Sequence, residues 1–147
     1  MQAQILATKK FDVFLAHSKL DKLHVEFINQ ELKRRGIKPW LDKEQIPPGR
    51  WFQDVIQQAI LSSKTAAIFV GAKGLGKFEI IELRSLISRC LEHDIPVIPV
   101  LLPGVDNLPE DLLFLKELNW VRFSQGIDEV EALDNLEWGI TGKHPRR

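Results

Sequence analysis

Short apolar runs alternate with amphipathic stretches along this chain, and each such step predicts a strand followed by a helix. FDVFLA (Phe11 to Ala16) reads as a buried strand, stopped by the polar stretch HSKLDK. From about Leu20 to Arg35, the apolar residues Leu20, Leu23 and Phe27, flanked by Val25, Ile28 and Leu32, predict a helix that Gly36 would stop. Ile37 to Asp42 predicts a short second strand, assigned to a sheet edge by Pro39. Pro47-Pro48-Gly49 can continue neither helix nor ladder and marks a loop. Phe52, Val55, Ile56, Ala59 and Ile60 then form a single apolar stripe at helical spacing. Thr65 to Gly71 is continuously apolar, as expected of a strand covered on both faces. A third helix follows from about Phe78, with Ile80, Leu83, Ile87, Cys90 and Leu91 expected inward. IPVIPVLLPG predicts a fourth strand, although Pro96 and Pro99 argue against a central place for it. A short helix over Leu108 to Leu115, a strand in NWVRF and a last helix from Ile127 to about Trp138 complete the pattern.

Strands alternating with helices imply an α/β fold with a parallel sheet and right-handed crossovers. For five strands the expected solution is a flavodoxin-like three-layer sandwich, ordered 2-1-3-4-5. Ligands in such a sheet bind beyond the carboxyl ends of strands 1 and 3, where the winding reverses. The segments to search are therefore His17 to Lys22 and Gly71 to Glu82. Residues 1–10 read as an N-terminal extension, 11–140 as one folded unit, and 141–147 as a polar tail or the start of a linker.

Composition narrows the function. The chain has 147 residues, with 20 Lys+Arg against 20 Asp+Glu. Zero net charge supplies no general attraction to nucleic acid or to an anionic membrane, and neither partner is expected. A single cysteine, Cys90, rules out an intramolecular disulfide and a cysteine metal cage, and it favours a reducing, cytoplasmic setting. Its place on a helical stripe reads as a small core hydrophobe. His24, His93 and His144 lack ligand spacing, so no metal is expected. No apolar run reaches the roughly 18 residues needed to span a bilayer.

The loop after strand 3, GAKGLGKF (Gly71 to Phe78), matches the phosphate-binding pattern G-x-x-x-x-G-K between a strand and a helix. Phe78, however, replaces the hydroxyl residue that would hold magnesium, so a nucleotide triphosphatase is rejected. Phe78 and Glu82 are four residues apart, on one helix face. Glu82 lies off the Ile80–Leu83–Ile87 stripe, so core packing does not explain it. Favourable placement of a carboxylate near a helix start is one account of it; a functional role at the switch point is the other. A phosphoreceiver would need an acidic cluster at the ends of strands 1 and 3 and a lysine after strand 5, and neither is present.

Taken in order, these segments resemble the Toll/interleukin-1 receptor (TIR) domain family. FDVFLAHS resembles its box 1. WLDKEQIPPGRW resembles its second strand and BB loop, VGAKGLGKFEIIELR its bacterial Gly-Leu-Gly-Pro-Trp-x-x-x-Glu pattern, and IPVIPVLLPG the strand after it. The family divides into scaffolds that act through TIR–TIR contacts and members that cleave NAD, in which the glutamate of Trp-x-x-x-Glu is essential. That glutamate falls on Glu82, and the tryptophan position on Phe78, where an aromatic face is kept but the indole is lost. The resemblance implies Glu82 as the catalytic residue, with His17, Ser18, Asp21, Lys22, Asp42, Lys43, Lys77 and Phe78 lining the NAD cleft. Pro47, Pro48 and Gly49 would serve self-association. The implied activity is an NAD glycohydrolase of the bacterial type, in prokaryotic immune, anti-phage or stress signalling. It would release nicotinamide and linear or cyclic ADP-ribose, with NAD as substrate and no cofactor. Homotypic TIR–TIR contact and further domains in a longer parent chain are the implied partners. The alternative is a non-catalytic interaction module of the same family.

Overall fold

A computed structural model describes residues 9–42, 48–49, 52–74 and 77–145, with positions 52–54, 77–81, 111 and 114 described by their backbone. Five parallel strands form one sheet: β1 (Val13–Ala16), β2 (Pro39–Trp40), β3 (Ala66–Val70), β4 (Val97–Leu101) and β5 (Val121–Arg122). Their order is β2-β1-β3-β4-β5, as the alternation of elements predicts. Among the described residues four α-helices accompany them: α1 (Lys22–Arg34), α2 (Phe52–Leu61), α3 (Lys77–Glu92) and α4 (Val130–Thr141). Two 3-10 segments, Lys19–Asp21 and Glu110–Glu117, complete the described elements. The second stands where Leu108 to Leu115 predicts a short helix.

Successive strand residues face opposite sides of a sheet, and the core divides accordingly. Val13, Leu15, Ala67, Phe69, Ile98 and Val100 join Val25, Ile28 and Leu32 of α1 and Leu133, Leu136 and Ile140 of α4. Phe14, Ala16, Ile68, Val70, Val97 and Leu101 join Ala59 and Ile60 of α2 and Ile87 and Cys90 of α3. Each fully buried Leu, Ile, Val or Phe side chain contributes about 1.5–3 kcal/mol. On the first face Arg35, at the end of α1, bonds Asp134 at 2.8 Å and Glu137 at 2.9 Å, tying α1 to α4. Trp40 stacks on Phe14, ring centroids 4.6 Å apart, and so roofs the edge strand onto its neighbour.

Several expectations are corrected. Leu20 and Leu23 are exposed, and Phe27 is only partly buried; the buried stripe of α1 is Val25, Ile28, Asn29 and Leu32. Residues 19–21 form a 3-10 turn, so Leu20 does not share the helix register, and Leu23 points away from the stripe at 3.6 residues per turn. Leu91 is exposed as well, since Leu83, Leu86, Ile87 and Cys90 face the sheet instead. The last helix starts and ends later than Ile127 to Trp138, and Gly142, at φ +80°, closes it with its N–H on the Trp138 carbonyl.

Most informative is β4, which is central despite its prolines. Leu102 donates to the Val70 carbonyl and Ala66 to that of Pro96, whereas Leu101 accepts from Phe123. Even-numbered positions of β4 therefore face β3 and odd-numbered ones face β5. An amide at position 99 would point toward β5 ahead of Val121, where that strand begins. The proline removes a donor only where the ladder has not yet started.

Candidate active site

The chain leaves the carboxyl ends of β1, β2 and β3 at His17, Leu41 and Gly71. Residues of these three exits meet. His17 Nδ1 donates to the Ser18 carbonyl at 2.9 Å, and its Nε2 lies 3.5 Å from Asp42 Oδ1. With an acceptor facing each ring nitrogen, the doubly protonated ring is favoured. Burial opposes that charge, but the bonds to Asp42 and to the Ser18 carbonyl, with the charges of Asp42 and Asp21, outweigh it. The imidazole is thus held above its ordinary 6.5.

A folded-state pKa above the unfolded one means stability that is fully present below about pH 6.5 and is lost as pH rises through the raised value. Asp42→Asn is expected to lower the His17 titration midpoint, read by NMR, and to remove that part of the pH dependence of urea unfolding. An unchanged midpoint would show that Asp42 does not hold the charge.

Ser18 and Asp21 are buried after the end of β1, at 1% and 6% exposure. The Ser18 hydroxyl accepts from the Leu20 amide at 3.2 Å and caps the 3-10 turn. The Asp21 carboxylate sits directly against Gly71, in the space a methyl group there would fill. Lys22 is exposed at the start of α1, and Asp42 is half-buried. Lys43 and Pro47 lie outside the described residues, while Pro48 and Gly49 form an exposed turn with Gly49 at φ +84°.

After β3 the chain turns at Gly71–Gly74, where the Gly74 amide donates to the Gly71 carbonyl at 3.1 Å. It enters α3 at Lys77, with Phe78 following in the first turn. Glu82 is exposed, in the second turn, about 7–8 Å along the axis from Lys77. The loop after β4 approaches this exit, for a methyl group on Gly104 would stand 3.3 Å from the Ala72 Cβ. His17 and Asp42 thus stand together where β1 and β2 end, and α3, which carries Glu82, starts after the exit of β3.

Sequence reasoning missed the seat of Asp21 on Gly71, the first glycine of the G-x-x-x-x-G-K pattern. The available signal was a glycine directly after a buried strand, which often marks a close backbone approach. Cys90 is fully buried, and burial pushes its thiol up to about 11, as suits an inert core residue. Among the described residues no cluster of three or more His, Cys, Asp or Glu could hold a metal, and no helix is long and apolar enough to cross a membrane. A cleft of about 400 Å³ lies between α2 and the far end of α3, lined by Gln57, Ser85, Ser88, Arg89 and His93, away from the strand exits.

The family model for TIR domains matches residues 13–136. No curated relative matches by sequence. Among solved structures, the chain is similar to a metazoan TIR-STING receptor from C. gigas in complex with 2',3'-cGAMP. That match has a TM-score of 0.72 at 21% identity and covers 91% of this chain and 40% of the receptor. It is similar also to the TIR domains of the activated Roq1 resistosome, with a TM-score of 0.65 at 17% identity, over 87% of this chain and 98% of that one. A third match is the CMP N-glycosidase BcmB of Clostridium botulinum, with a TM-score of 0.55 at 16% identity, over 85% and 97% of the two chains.

Proposed function

This chain belongs to the TIR domain family, whose pattern covers residues 13–136, and from that membership we propose that it is an NAD glycohydrolase. The observation that carries the reading is Glu82. It is an exposed carboxylate off the apolar stripe, in the helix that rises from the switch point, and it occupies the family's Trp-x-x-x-Glu position. An enzyme of the same fold whose name makes it a CMP N-glycosidase supports the chemistry, since a ribose N-glycosidic bond is the bond at issue.

Nicotinamide in NAD is cationic and already a good leaving group, so the bond between it and ribose C1′ breaks without a strong acid. The barrier is formation of a ribosyl oxocarbenium ion. The Glu82 carboxylate hydrogen-bonds the ribose hydroxyls and stabilises the developing positive charge. Phe78 offers an aromatic face to the flat nicotinamide ring. Water then adds at C1′ and loses a proton to give ADP-ribose, or an internal nucleophile of the same molecule closes a cyclic product. Lys22, Lys43 and Lys77 supply positive charge for the diphosphate.

In this reading the BB loop of a neighbouring copy completes the pocket, and the enzyme acts in the cytoplasm in prokaryotic immune or stress signalling, as part of a longer chain. Nicotinamide release by concentrated or clustered protein is the test. Release that tracks protein concentration supports a composite site; no release, even when clustered, leaves the interaction module.

Gly49→Val adds a side chain where the backbone has φ +84°, at a strain of about 1–2 kcal/mol borne by the loop. Specific activity at high protein concentration should fall severalfold while the melting temperature of the domain falls by only about 2–8 °C. Equal activity per molecule in dilute monomer and concentrated protein would sink the composite site.

A further inference from the structure

Gly71 is a glycine for want of space. Its φ lies outside the left-handed region, so the backbone there suits any residue. A Cβ, however, would overlap the Asp21 carboxylate, with Oδ2 only 2.6 Å away and Oδ1 and Cγ nearer still. Asp21 in turn is held in place. It ends the 3-10 turn that Ser18 caps, its amide donates to the Ser18 carbonyl at 3.0 Å, and it is 6% exposed. His17, whose charge Asp21 favours, precedes that turn and faces Asp42. Beyond Gly71, the turn closed by the Gly74 amide leads into α3 and Glu82.

We propose that Asp21 is a positioning residue: its carboxylate, seated on the Cα of Gly71, fixes where the loop after β3 leaves the sheet and hence where α3 holds Glu82. The inference deepens the NAD-cleaving reading and rests on it for its catalytic consequence. A carboxylate buried at 6% exposure and pressed on backbone is poorly placed to hold substrate, and well placed to set the distance between two loops. Displacing a reacting group by about 1 Å costs on the order of a hundredfold in rate, so a small steric spacer can matter at this site.

The test is a size-complementation cycle of Asp21→Ala, Gly71→Ala and the double variant, with Asp21→Asn as the shape-preserving control. Two readouts are followed: amide hydrogen exchange over residues 71–82, which needs no activity, and the kcat and KM of nicotinamide release. Gly71→Ala should accelerate exchange over 71–82 and lower kcat on the order of ten- to a hundredfold with KM little changed. The double variant should recover part of both losses, because alanine at 21 makes room for the new methyl group. Asp21→Asn should keep wild-type exchange over 71–82. Wild-type exchange in Gly71→Ala, or a double variant no better than Gly71→Ala, overturns the proposal, as does Asp21→Asn exchanging like Asp21→Ala. Should Gly71→Ala not fold, recovery of folding in the double variant supports the steric seat, and failure of both overturns it. If wild-type protein releases no nicotinamide, the catalytic reading fails while the exchange measurements still decide the placement.

Discussion

Glu82→Gln is expected to lower nicotinamide release on the order of a hundred- to a thousandfold, the usual loss when one preorganised electrostatic partner is removed. The substitution keeps the size of the side chain and most of its hydrogen bonding. What disappears is the negative charge that, in the proposed reaction, faces the oxocarbenium ion. Because Glu82 is exposed and off the buried stripe of α3, stability should change by no more than about 0.5 kcal/mol. Glu79→Gln is the control. It removes a carboxylate nearer the helix start but not from the motif position, and its effect should be far milder. Turnover by Glu82→Gln equal to that of wild type would refute the assignment.

Leu32→Ala is expected to cost about 2–5 kcal/mol, whereas Leu23→Ala should stay within about 0.5 kcal/mol. Leu32 is fully buried between α1 and the sheet, beside Val25 and Ile28, while Leu23 is 80% exposed. Urea unfolding of the two variants separates the structural stripe from the one the sequence suggests. Comparable losses would mean that Leu23 is covered in solution.

That pair shows where sequence patterning succeeds and where it stops. Both sets, Leu20–Leu23–Phe27 and Val25–Ile28–Leu32, have the same helical spacing, so periodicity alone cannot choose between them. The choice is made by the 3-10 turn at Lys19–Asp21, which sets where α1 begins. The central strands were legible because a strand covered on both faces has no polar side to obscure it, as in Ala66–Val70. Pro99 misled, since which neighbour an amide faces depends on register and on where β5 begins. The start of α3 after the exit of β3 followed from the alternation of elements and the switch-point rule. The contacts of His17 with Asp42 and of Asp21 with Gly71 did not, because they join residues from separate strand exits that only the folded sheet brings together.

The sheet ends in strands of two residues on both sides, Pro39–Trp40 and Val121–Arg122. Short borders carrying a proline or a charge are poor templates for the backbone of another chain. Copies of this domain that gather at high concentration are therefore protected from fusing strand to strand into a continuous β-ribbon, the irreversible route by which crowded domains become fibres. Any assembly would be left to side chains on helices and loops, whose contacts can dissolve on dilution. For a domain proposed to act when clustered, borders of this kind would keep the gathering reversible.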